Sequence, residues 1–128
     1  MCYYLRMKKI YKLLLLSLAD DLRQKKYKGN INPVAGHCYV VSEVLFHLFG
    51  GQKSAWRPQF IRHENEPHWF LKNIKTNKNI DLTSSQFNTK ISYKKAAGKG
   101  FLTKNPSRRA IKLMSKMISL YAANSLKT

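Results

Sequence analysis

Acidic side chains are scarce in this chain. Six Asp and Glu face 24 Lys and Arg over 128 residues, a formal net charge of +18. That imbalance predicts attraction to nucleic acid, anionic headgroups or acidic polymers and says little about fold. Cysteine is scarcer still. Two residues, Cys2 at the frayed terminus and Cys38, exclude a disulfide framework and point to a reducing, cytoplasmic interior. No apolar run approaches the roughly 18 residues that cross a membrane, so no transmembrane segment is expected. The stretch KKIYKLLLLSLADDL is not read as a secretion signal: its apolar run is short, Lys12 interrupts the approach, and Asp20 and Asp21 stand where a small-residue cleavage site would be. Repeats are absent and the length excludes a multidomain machine, leaving one domain whose 44% hydrophobic content supports a modest core.

The positive charge is unevenly spread. Residues 1–30 carry a net +6, residues 31–87 only +2, and residues 88–128, which contain no acid, +10. A folded centre with a basic N-terminal helix and a basic C-terminal loop and helix is expected. Ile10, Leu13, Leu14, Leu18 and Leu22 recur at helical spacing within residues 7–26. A connector at 28–36, marked by Gly29, Asn30, Asn32 and Pro33, precedes a second helical pattern at 39–49 that stops at Gly50 and Gly51. Residues 59–62, 68–74 and 79–83 read as strands. The last two flank a polar tip, Lys75 to Lys78, and form a hairpin pattern. A short strand or irregular crossing is expected at 91–93. Asn105 followed by Pro106 reads as the start of a last helix whose apolar face is Ile111, Met114, Ile118 and Tyr121. The fold class is α+β, with helices packed on a small antiparallel sheet.

Three residues carry chemistry. Cys38 opens the second helix, His68 opens a strand and Asp81 lies on the next one. A thiolate is the reactive form of cysteine, and a helix N-terminus or a neighbouring imidazolium favours it. His68 and Asp81 stand thirteen residues apart, a separation that lets partner strands bring them face to face. Asp81 would then fix the ring of His68, completing a nucleophile, base and orienter set. A developing oxyanion needs donors, for which the Cys38 amide is the first candidate and the side chain of Asn32 or Gln86 the second.

The order of a cysteine at a helix start in AGHCYVVSE, a histidine opening the strand HWFL and an aspartate in IDLT resembles papain-like thiol enzymes. The transglutaminase-like branch is the closest, with its peptidases, crosslinking enzymes and acetyltransferases. The resemblance covers residues 32–87 and implies nucleophile Cys38, base His68 and orienter Asp81 in a papain-like core. Asn32 precedes Cys38 by six residues, where papain relatives place an oxyanion glutamine. This chain departs from the pattern in having His37 and Tyr39 beside the cysteine and a very short core. GHCYVVSE, RHENEPHWFL and GFLTKNPSRRA together also resemble small virus-encoded proteins, for which host cytoplasm and an accessory or inhibitory role would follow.

Metal chemistry is not expected, because His37, Cys38, His63, His68 and Asp81 show neither paired CxxC nor HExxH spacing. No cofactor is expected either. Lys104, Arg108 and Arg109 cluster at the start of the last helix, where cations oppose the dipole, so an anion is expected there. Glu43 reads as a solvated or salt-bridged helix residue. The chain is accordingly expected to be a cysteine peptidase, amidase or transglutaminase-like enzyme acting on an acidic protein or polymer. The alternative is a non-enzymatic basic protein that holds nucleic acid, nucleotide or an acidic protein through its flanks, with Tyr93 beside Lys94 and Lys95, and Trp56 beside Arg57, available to stack on bases.

Overall fold

In the computed structural model, which describes residues 2–23, 25–30, 32 and 34–125, three helices accompany one four-stranded antiparallel sheet. The class is α+β. Pro33, read above as part of the connector, and the Cys2 side chain lie outside what is described. Among the described residues no helix is long and apolar enough to cross a membrane.

Helix α1 spans Cys2–Leu16 and ends well before the periodicity does. The hydroxyl of Ser17 donates to the Leu13 carbonyl at 2.8 Å, competing with the backbone ladder, and extended Ala19 then leads into a single 3-10 turn, Asp20–Leu22. Leu22 still reaches the core. Its periodicity survives because the turn, not the helix, delivers it.

Helix α2, Cys38–Leu48, is the centre of the molecule. Val40, Val41, Val44, Leu45 and Phe46 are buried around it, and they pack with Leu14, Leu22, Leu71, Ala110, Leu113 and Met117. Burial on every side suits a helix held between a sheet and a second helix. It stops at Gly50, whose φ of 110° no other residue adopts readily.

Strands β1 (Trp56–His63) and β2 (Glu66–Asn73) form a hairpin closed by Glu64 and Asn65, both at positive φ, a turn whose twist matches right-twisted strands. The tight turn lengthens both strands beyond the expected bounds. Glu66 and Pro67 already pair in β2, and His68, expected to open it, sits third, opposite Ile61. Strand β3 (Asn79–Ile80) pairs with Leu71 and Lys72, and β4 (Ala97–Gly98) with Gln59 and Phe60, giving the order β3-β2-β1-β4. The strand expected at 91–93 is instead a 3-10 turn, Tyr93–Lys95.

Helix α3, Arg108–Ser125, corrects two expectations. Its cap is Ser107, not Asn105: the Ser107 hydroxyl accepts the Ala110 N–H at 3.2 Å and its carbonyl the Ile111 N–H at 2.9 Å. Its buried face is Ala110, Leu113 and Met117, whereas Ile111, Ile118 and Tyr121 are exposed. Both stripes have helical spacing. The smaller side chains face inward because the helix start is pinned to α2, as described below.

Arg23 shapes the chain ahead of α2. Its buried guanidinium donates to the carbonyls of Ala35 (2.9 Å), Asn30 (2.9 Å) and Asn32 (2.5 Å) and pairs with Asp20. A planar fork can span these acceptors; a lysine ammonium cannot. Arg23→Lys should therefore lose about 2 kcal/mol in urea unfolding, and a loss under about 0.5 kcal/mol would show that the clasp is dispensable.

Candidate active site

The start of α2 is set by a close approach. Gly36 has φ +77°, and a Cβ there would lie 2.5 Å from the Tyr27 Cβ, so the connector can turn only with glycine. His37 follows, wholly buried, its Nε2 at 3.1 Å from the Ala19 carbonyl, and its own carbonyl accepts the first helical N–H, from Val41. Cys38 is thus the first helical residue. Its amide belongs to the turn whose N–H groups the helix itself cannot satisfy.

Along β2, side chains alternate. Trp69 meets Tyr39 of α2 edge-on and Leu71 enters the main core, while Phe70 packs against Tyr93 and His68 against Phe87. Asp81, expected on a strand, lies one residue beyond β3. Its Oδ1 accepts the Thr83 N–H at 3.2 Å, an Asx turn that ends the pairing. Its Oδ2 faces His68.

The sequence-derived trio converges. His68 Nε2 and Asp81 Oδ2 are 2.6 Å apart, with 0% and 5% of the two side chains exposed. The Cys38 sulfur lies 3.8 Å from the Pro67 carbonyl, which brings the thiol against the strand residue that immediately precedes His68. With Nε2 taken by Asp81, the nitrogen left for the thiol is Nδ1, which is buried and meets no hydrogen-bond geometry in this arrangement. Burial alone pushes the His68 pKa down. The bond to Asp81, the thiol and the aspartate charge outweigh it and raise the pKa to about 9.

Two residues outside the expected set hold Asp81. Tyr93 donates its hydroxyl to Oδ2 at 2.9 Å, and burial together with the Asp81 charge holds the Tyr93 pKa well above the usual tyrosine range. Thr83, buried, takes Oδ1. Tyr93 carried no signal as a site residue, since nothing local links it to a carboxylate twelve positions upstream.

The other expected site residues fall less uniformly. The Asn32 carboxamide is engaged on both sides, donating to the Ser85 carbonyl at 3.1 Å and accepting the Val34 N–H at 3.1 Å. It fastens the connector to the turn that carries Gln86. Gln86 Oε1 is buried and lacks a hydrogen bond among the described residues. At the start of α3, Lys104 and Arg108 are exposed, and only Arg109 turns inward. The anion expected at that helix start is the protein's own. Glu43 is fully buried, not solvated, and its two oxygens accept the Ser107 N–H and hydroxyl, both at 2.7 Å.

The two candidate base-stacking pairs are also engaged internally. Trp56 stacks on Phe49, Arg57 donates to the Ser54 and Trp56 carbonyls, and Tyr93 is committed to Asp81 and Phe70. Among the described residues, no three His, Cys, Asp or Glu side chains are grouped to hold a metal.

Fold and site together define an α+β domain that presents a buried Cys-His-Asp cluster at a helix start. The chain belongs to the YunG protein family, whose profile matches residues 6–119. The family description names no activity. No curated protein and no solved structure matches the chain.

Proposed function

We propose that this chain is a thiol acyl-transfer enzyme of the papain-like and transglutaminase-like kind, acting on an amide or related carbonyl. One observation carries the reading: the buried His68 ring meets Asp81 through one nitrogen, and the Cys38 thiol lies at the carbonyl of Pro67, the residue before His68. Because His68 holds its proton to about pH 9, it acts at neutral pH as an acid already loaded, not as a base awaiting a proton. A cysteine attacks as its thiolate, and it is this form of Cys38 that reacts.

Cys38 then attacks the carbonyl carbon, forming a C–S bond. The oxyanion meets the free amide at the start of α2, with Gln86 as the second candidate donor. As the tetrahedral species collapses, the bond to the leaving group breaks and His68 delivers the proton to it. The incoming water or amine returns a proton to His68 as it attacks the thioester, and Cys38 leaves as thiolate. Asp81, fixed by Tyr93 and Thr83, keeps the ring in place through both halves. The net charge of +18 suits an acidic protein or polymer as substrate, in a reducing cytoplasmic setting where Cys38 remains a free thiol.

The test is alkylation of Cys38 by iodoacetamide near neutral pH, followed by mass spectrometry. Fast reaction in the wild type and a drop of about tenfold or more in His68→Ala support the reading. An inert Cys38, or a rate that ignores His68, overturns it and leaves a basic binding protein.

A further inference from the structure

We propose that the neighbouring helices α1 and α3 dock on an anionic lipid surface through an apolar face edged by their own lysines and arginines. This docking is independent of the chemistry of Cys38.

Of the two apolar stripes on α3, the fold buries one. Ala110, Leu113 and Met117 enter the core, which leaves Ile111, Ile118 and Tyr121 on the surface, 53%, 70% and 65% exposed. Spacings of seven and three residues keep these three on one side of the helix. Leu16, the last residue of α1, is 62% exposed. Helix α1 packs beside α3, and an open groove of about 590 Å³ is lined by Ile10, Leu13 and Leu16 of the one and Tyr121 of the other. Tyr121 thus belongs both to the groove and to the exposed stripe. Several large apolar side chains left together in water are unfavourable, and a surface that covers them is correspondingly favoured.

Charge decides what covers them. Each of the two helices carries four Lys or Arg and no acid. Arg6, Lys9 and Lys12 are exposed along the same groove, and among the described residues none of the three has an ion pair. Lys112 and Lys116, by contrast, are paired with Asp21. The occupant is therefore anionic, and a second copy of this chain, at +18, would set cation against cation. Lipid fits better than a folded acidic protein because Leu16, Ile118 and Tyr121 project from the surface. A protein partner needs a matching recess for each projection, whereas fluid acyl chains close around any of them. Lysine and arginine can lay their stems on the apolar surface with their charges at the phosphates, and a tyrosine ring sits at the same depth. A cytoplasmic leaflet supplies both the anionic headgroups and the acyl chains.

The test is cosedimentation of the full chain with vesicles of phosphatidylcholine and phosphatidylglycerol at about 7:3, in about 0.15 M salt. Partition should be about tenfold weaker on phosphatidylcholine alone. Leu16→Gln with Ile118→Gln keeps the charge and should weaken partition about tenfold or more. Gln at Arg6, Lys9 and Lys12 together should weaken it about thirtyfold, and Gln at the exposed Lys75, Lys78 and Lys90 less than about threefold. A full chain that ignores the anionic vesicles, a Leu16 and Ile118 pair without effect, or equal losses in the two lysine-bearing triples would each overturn the docking. Binding to poly-L-glutamate with no partition onto vesicles gives the face to an acidic protein and overturns the lipid assignment. Urea midpoints check that each variant folds. Should the Leu16 pair fail to fold, Ile118→Gln with Tyr121→Gln should show the same loss, and an unchanged partition there likewise overturns the docking.

Discussion

Asp81→Asn should move the pKa of His68 from about 9 to below its ordinary 6.5. Burial is the largest single influence on the ring and acts against its charge; the Asp81 bond and charge are foremost among those that overcome it. Without the carboxylate, burial prevails. In the wild type, a folded-state pKa above the unfolded value means that protonation of His68 stabilises the fold fully below pH 6.5, and that this contribution is lost as pH rises through 9. The shift corresponds to about 3 kcal/mol. In Asp81→Asn the sign reverses, and stability falls as pH drops below 6.5. The His68 ring proton followed by NMR across pH, with urea unfolding at both ends of the range, measures both. An Asn variant in which His68 still titrates near 9 would sink the assignment of Asp81 as the group that holds the proton.

Replacing Glu43 should cost as much stability as any surface-remote change in the molecule. The side chain is fully buried, and each oxygen has one partner on Ser107, at the positive end of α3. Glu43→Leu leaves the Ser107 N–H and hydroxyl without acceptors and Arg109 without a neighbouring anion, a loss of about 3–5 kcal/mol. Glu43→Gln keeps one acceptor and should lose about 1–2 kcal/mol. Against a typical total of about 5–15 kcal/mol, the Leu variant is best studied at low temperature. Urea midpoints in the order wild type, Gln, Leu are expected; a Leu variant as stable as wild type would falsify the link between α2 and α3.

How much of this was readable from sequence divides along a physical line. His68 and Asp81 stand in adjacent segments of a hairpin, so their meeting followed from alternation and a short connection, even though Asp81 lies just past the strand. Cys38 followed from the glycine before it and the apolar helix after it. What could not be read depends on partners far along the chain. Glu43 looks like a surface acid because nothing within α2 reveals that Ser107, 64 residues away, closes over it. The face of α3 was misassigned for the same reason. Its two apolar stripes are equivalent as patterns, and only the docking of its first turn chooses between them. Asn32 and Arg23 likewise act on the connector through contacts that sequence spacing does not encode. The core of the class, helices on a small antiparallel sheet, needed only local periodicity and turn chemistry.

The bond from Arg109 to the Leu22 carbonyl spans 87 residues and joins the two basic ends of the chain. The ends are therefore not appendages to a portable reactive centre. Leu14 and Leu22 from one and Ala110, Leu113 and Met117 from the other furnish much of the interior on which α2 rests. A minimal fragment made of residues 31–87 would carry Cys38, His68 and Asp81 without the walls that hold them, so the cluster, if transplanted, travels only as the whole chain.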